Sequence, residues 1–194
     1  MLITSRLLPI NKHTRSGISL NGVRGVGLHW PDAPGWTADR LRDYIAGLPK
    51  SEPGRFASYH YAVGLEGEIV QMIPETECAW HGGPSDQTKP HIEARLGGKP
   101  NWTTIGICMC HPDTSGAFLR ATWRSAVELV ADIYHRHGVT RTDTILRHHD
   151  FTGKHCPAWM VDHPADWAEF VHDVRAILWG RGYGDKETCT ESRP

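Results

Sequence analysis

Arg147–Pro157 reads RHHDFTGKHCP and gathers two adjacent histidines, a carboxylate, a lysine and a cysteine within eleven residues. Imidazole and thiolate are both ligands that zinc accepts. His148 and Cys156 lie eight positions apart, too far to be neighbours on one helical turn. Gly153 and Pro157 break regular structure, so the second half of the stretch reads as a loop that can fold back and bring imidazole and sulfur to one ion. Two ligands do not complete a zinc site. A third candidate is His29, near the C-terminal end of the apolar run Gly25–Trp30 (GVGLHW) and just before a proline-rich loop. Sites gather where rigid elements meet loops; the plain alternative is a hydrogen-bonded core histidine. Three ligands leave a fourth tetrahedral position for water, which suits hydrolysis better than a closed structural site. Lys154, two residues before Cys156, is placed to face a developing oxyanion, or is simply a solvated loop lysine. Tyr59 could hold or deprotonate a water, or donate to the oxyanion. The absence of an H-E-x-x-H sequence excludes the common helical metalloprotease arrangement.

Several elements must position these groups. Gly25–Trp30 reads as a buried strand ending at His29. Thr37 caps a helix running to about Leu48, with Leu41, Tyr44, Ile45 and Leu48 on one face. Lys50–Phe56 is a loop. Ser58–Gly64 and Glu68–Ile73 flank a glycine-containing turn and form a hairpin. Its first strand should place Tyr59 and Tyr61 on one face, opposite His60, with the Tyr61 hydroxyl at the surface. His81 sits on the glycine-flexible corner Cys78–Gly83, next to Trp80. Residues Pro84–Asn101 show no clear period and read as a long loop. Thr103–Cys110 is a central strand in which Cys108 and Cys110 are most simply small buried hydrophobes. Leu119–His137 carries the strongest helical period, ended by Gly138. Thr144–Arg147 is a short strand delivering His148, and Pro164 opens a last helix that Gly180 stops. These elements make one α/β domain, a central mixed β-sheet flanked by about three α-helices, with the metal site at the strand ends. Residues 1–24 form an arm packed on the domain, 25–180 the catalytic domain, and 181–194 a loose tail.

Composition narrows the partners. A chain of 194 residues with net charge -1 has no polybasic field for nucleic acid or an anionic membrane. Five cysteines, an odd number, argue against a disulfide framework and for free thiols or metal ligation. The N-terminal stretch lacks a sustained apolar run and a cleavage site, so no signal peptide is expected and synthesis is cytoplasmic. No segment approaches the ~20 apolar residues of a membrane span.

The segments GLHWPDAP, SYHYAVGLEGEIVQMIP, CAWHGG, TIGICMC and RHHDFTGKHCP occur in this order and cover most of residues 25–160. In them the chain resembles the zinc N-acetylmuramoyl-L-alanine amidases, the family that includes phage lysozyme-amidases, bacterial autolysins and peptidoglycan recognition proteins. The resemblance implies one Zn2+ per chain held by His29, His148 and Cys156. It also implies catalytic roles for Tyr59 and Lys154, and a substrate groove at His81 and its neighbour Trp80. Some autolysins carry a glutamate where this chain has Cys108 and a phenylalanine where it has Tyr59; on both counts the chain resembles the phage-type branch, so no catalytic carboxylate is assigned. The implied reaction is hydrolysis of the amide between the lactyl group of N-acetylmuramic acid and L-alanine of the stem peptide. The implied setting is a monomeric phage or prophage endolysin that reaches bacterial peptidoglycan after release. A bacterial autolysin with the same chemistry, a non-catalytic peptidoglycan-binding protein, a protein with structural zinc and a stem-peptide peptidase are the competing readings.

Overall fold

The computed structural model describes residues 2–50 and 55–180. Parts of the expected Lys50–Phe56 loop and the whole expected tail over 181–194 lie outside the described residues. Among those described, one sheet is built from β1 (Ile3–Ser5), β2 (Gly25–His29), β3 (Tyr61–Val63), β4 (Ile69–Gln71), β5 (Thr104–Met109) and β6 (Ile145–Arg147). Their order across the sheet is β1-β4-β3-β5-β2-β6. Only the β3–β4 hairpin is antiparallel, so the sheet is mixed. The helices are α1 (Ala38–Gly47), α2 (Pro90–Leu96), α3 (Pro100–Thr103), α4 (Arg120–His137), α5 (His148–Thr152), α6 (Ala158–Asp162) and α7 (Pro164–Gly180). The three long ones, α1, α4 and α7, are the three expected.

Every residue of β2 and β5 is buried, as a parallel strand covered on both faces requires. On one face Val26, Leu28, Ile105, Ile107 and Met109 pack against α4 and α7 in the main core. On the other face two smaller clusters form. Cys108, Cys110, Ala62 and Val70 meet Leu41 and Ile45 of α1, while Leu146 and Phe151 meet Ile92 and Leu96 of α2. The candidate site lies in the seam between these two clusters. There, Gly27 and Gly106 stand opposite each other in register on β2 and β5. A Cβ on Gly106 would come within 2.6 Å of the His81 ring, and one on Gly27 within 2.7 Å of Phe151. Glycine inside these strands therefore marks a recess where two rings lie against bare backbone.

Helix ends follow local chemistry. The Thr37 hydroxyl accepts from the Arg40 N–H at 3.1 Å and caps α1. Gly138, in the left-handed region at φ 64°, closes α4. Four expectations need correction. Pro84–Asn101 is not a plain loop: it holds all of α2 and the start of α3, each opened by a proline at its first position. Helices this short expose too few turns for an apolar period to show. The irregular arm expected over residues 1–24 contains the edge strand β1, which pairs with β4. Tyr59 and Tyr61 do not share a face. The His60 carbonyl accepts from both Met72 and Ile73 N–H groups, and its Nδ1 takes the Gly106 N–H at 2.9 Å, so the regular ladder stops there. Tyr61 then packs into the α4 side and Tyr59 into the α1 side.

The Tyr61 hydroxyl is buried, not at the surface, and donates to Glu75 at 2.8 Å. Glu75 also accepts a two-pronged Arg136 contact at 2.6 and 2.9 Å and lies 2.7 Å from His137, tying the end of the hairpin to the end of α4. Burial alone would raise this carboxyl, but the bonds from Arg136, His137 and Tyr61 outweigh it and hold it at about 2. A depressed folded value contributes stability that is complete above the ordinary 4.5 and lost as pH falls toward 2. Glu75→Gln should therefore cost up to about 3 kcal/mol at neutral pH and progressively less in acid. Denaturant unfolding of both proteins from pH 7 to pH 3 measures it; a constant difference would refute the assignment.

Candidate metal centre

Three elements deliver the candidate ligands to the C-terminal edge of the parallel strands, where open α/β sheets place their sites. His29 is the last residue of β2 and is fully buried. His148 opens α5 directly after β6. The turn between them is closed by Asp150, which accepts from the Arg147 N–H and from its guanidinium, both at 2.8 Å. Arg147 reaches on to the Met160 carbonyl at 2.8 Å and lies over the Trp167 ring. Asp150 thus shapes the turn that carries His148. Gly153, at φ 89°, ends α5 and lets the chain double back. The His149 N–H donates to the Cys156 carbonyl at 2.9 Å, which locks the returning loop beside α5.

One ligand atom from each of His29, His148 and Cys156 then lies within 4.8 Å of the others, the one such group found among the described residues. The two imidazole centroids are 4.9 Å apart, and Cys156 Sγ is 3.9 Å from His29 Nδ1. Electrostatics keep the set uncharged. Burial first, then the charges at His148, His81 and Lys154, hold His29 well below the ordinary imidazole range. Burial and Lys154 lower His148 to about 4. Burial pushes the Cys156 thiol up to about 11, against the opposing pull of the Trp30 backbone and Lys154. Two neutral nitrogens and one sulfur, none of them engaged in an ion pair, are a donor set for a borderline-soft metal rather than for calcium or magnesium, which take oxygen. Binding would have to expel the thiol proton.

The ligand cluster underlies a groove made of two joined hollows. One, of about 920 Å³, runs past Trp30, Trp36, Tyr44 and Asp32. The other, of about 510 Å³, runs past Phe56, Trp80, His81 and His148. Arg55, Tyr59 and Lys154 line both and form the divide between them. The Tyr59 ring centroid is 5.0 Å from that of His29. Burial and then the neighbouring Cys108 and Cys156 raise its phenol well above the ordinary range, so it stays protonated and is a hydrogen-bond donor. Cys108 and Cys110 are buried core thiols of the α1 side, outside the ligand group.

All seven residues singled out from sequence therefore converge, with one difference in depth. Trp80 is half-buried on the groove wall, its indole N–H donating to the Lys12 carbonyl at 3.2 Å. His81 is 3% exposed and lies beneath His29, with Nδ1 3.0 Å from His29 Nε2. Sequence reasoning passed over Gly27, Gly106, Phe151 and Asn101. The Asn101 Oδ1 accepts the N–H groups of His81 and Gly82, at 3.0 and 2.6 Å, and so holds the corner in place. The readable signal was two glycines inside otherwise unbroken apolar strands.

Comparison with known proteins agrees with this geometry. A family model described as N-acetylmuramoyl-L-alanine amidase matches residues 20–159. The N-acetylmuramoyl-L-alanine amidase CwlL of Bacillus licheniformis is 33% identical over 193 residues, covering 98% of this chain and 51% of that protein. The N-acetylmuramoyl-L-alanine amidase BlyA of Bacillus subtilis (strain 168) is 31% identical, covering 93% of this chain and 48% of that protein. The chain thus spans about half the length of the curated relatives it matches. Among solved structures, the PlyG catalytic domain superposes with a TM-score of 0.72 at 19% identity, over 99% of this chain and 100% of that one. A mutant endolysin from Bacillus subtilis superposes with a TM-score of 0.69 at 23% identity, over 89% and 98%. At these identities the structural likeness speaks for the fold alone. The family match covers most of the chain and includes all seven candidate residues: this chain belongs to the N-acetylmuramoyl-L-alanine amidase family.

Proposed function

We propose that this chain hydrolyses the amide between the lactyl group of N-acetylmuramic acid and L-alanine in bacterial peptidoglycan, as a zinc-dependent amidase of the endolysin type. The observation that carries the reading is the convergence of His29, His148 and Cys156 beneath a groove, in a chain of this family. Two imidazoles and a thiolate would hold zinc and leave one tetrahedral position open. Zinc so held supplies a Lewis acid and lowers the pKa of water toward ~7.

The chain's own residues account for the rest. A hollow lies on each side of the Tyr59–Lys154 divide, so a glycan arm and a peptide arm of the substrate would occupy opposite sides of it. The Lys154 ammonium faces the place where negative charge develops on the lactyl carbonyl oxygen. Tyr59, kept protonated by its surroundings, donates to the same oxygen or orients the attacking water, and does not act as the resting-state base. Net hydrolysis puts the water oxygen into the lactyl carboxylate, and the L-alanine nitrogen leaves as an amine.

Two outcomes are expected. Purified protein should carry about one zinc per chain and release L-alanine amino termini from peptidoglycan, both abolished in Cys156→Ala. Activity at wild-type rate in a variant shown by elemental analysis to be zinc-free would end the proposal. Lys154→Met should lower kcat by about 10²–10³-fold, and Tyr59→Phe by about 10²-fold or more, with zinc content unchanged in both. Full rates in either variant would remove that residue from the mechanism.

A further inference from the structure

His81 is buried at the site but is not one of the three candidate ligands, and it makes hydrogen bonds through both ring nitrogens. Its surroundings leave one arrangement of protons. Thr104 Oγ1 donates its single hydrogen to the Pro100 carbonyl at 2.7 Å. The same hydroxyl is 3.4 Å from His81 Nε2 and has no second hydrogen for it. His81 Nε2 also lies 3.2 Å from the Thr104 carbonyl, which only accepts. A bare Nε2 would set two acceptors against each other in a dry site, so His81 Nε2 carries the proton and donates to that carbonyl. In a neutral ring Nδ1 is then bare and accepts. Its partner at 3.0 Å is His29 Nε2, which must be the donor. His29 Nδ1 is left bare, and this is the nitrogen that faces Cys156 Sγ at 3.9 Å.

We propose that His81 is a positioning residue that fixes the His29 tautomer, so that His29 presents Nδ1 to the metal. The inference rests on the metal reading above and deepens it. The ring of His81 is itself held without freedom. Gly106 and Gly27 leave room for it against β5 and β2, Phe151 lies 6.1 Å away ring to ring, and Asn101 holds its backbone N–H. His81 therefore acts on catalysis through His29 and need not touch substrate. Outer partners of this kind orient ligand imidazoles and raise their basicity.

The test uses metal-free protein labelled with 15N-histidine, with the His29 signals assigned from a His29→Gln spectrum. Long-range 1H–15N correlations of the wild type should show His29 protonated at Nε2 and bare at Nδ1. Zinc affinity is then read by chelator competition. His81→Phe fills the recess but cannot accept, and should weaken zinc binding about 10–100-fold with a mixed His29 tautomer. His81→Asn presents Oδ1 near the place of Nδ1 and should recover most of that affinity. A wild-type His29 protonated at Nδ1, or a His81→Phe protein with unchanged zinc affinity, overturns the proposal. A purely structural role would lower the thermal stability of both variants equally and leave their zinc affinities alike. If wild-type protein binds no zinc, the metal reading fails separately, and the tautomer spectrum still decides what His81 does. Should His81→Phe not fold, the wild-type spectrum and His81→Asn carry the test.

Discussion

The site depends on a gap in side-chain cover. Gly27 and Gly106 face each other on neighbouring parallel strands, and neither tolerates a Cβ without striking a ring. Glycine inside a strand costs roughly 0.5–1 kcal/mol relative to alanine, and here it is used twice in the most buried part of the sheet. What it permits is close approach: His81 and Phe151 lie directly on the strands, and His29 lies over them. The hydrophobic layer continues on both sides of the gap, under α1 and under α2, so the polar rings occupy a narrow seam in an otherwise apolar face. The ring nitrogens of the buried His81 and His29 are met by the Thr104 carbonyl, by each other and by the Cys156 sulfur, as buried polar atoms require.

The same dryness sets the charge state. Burial alone favours neutral imidazoles and a protonated thiol, and the cationic Lys154 at the rim adds to the first effect while opposing the second. The result is a pre-assembled set of ligand atoms with no permanent anion among them. Arg55 and Lys154 line both hollows above it, and the walls are aromatic: Trp30, Trp36 and Tyr44 on one side, Phe56 and Trp80 on the other. A groove of this kind offers apolar faces for contact area and a few cations for orientation.

Much of this was legible in the sequence, and the reasons differ by residue. His29, His148 and Cys156 could be read because the chemistry of each is particular: His29 ends β2 before a proline-rich loop, His148 directly follows β6, and Cys156 lies on the glycine- and proline-bounded loop after α5. The long helices α1, α4 and α7 announce themselves by period and by their caps, Thr37, Gly138 and Pro164. Short elements were hidden: α2 and α3 have seven and four residues, and β1 has three, too few for periodicity to speak. Tyr59 and Tyr61 were misplaced relative to each other because alternation assumes an unbroken ladder, and the His60 side chain takes over a backbone partner there. The depth of His81 could not be read at all, since it depends on glycines from two strands and an asparagine from α3 that only the fold brings together.

The bond from His81 Nε2, and that from the Thr104 hydroxyl beside it, end on main-chain carbonyls, those of Thr104 and Pro100. Substitution removes side chains but not carbonyl groups. The direction in which the β2 imidazole of His29 points is therefore anchored to the path of the backbone rather than to the side chains displayed along it. Side chains at the groove rim that make none of these bonds, such as Phe56 and Gln87, can therefore change to suit a different wall without re-aiming the centre beneath it.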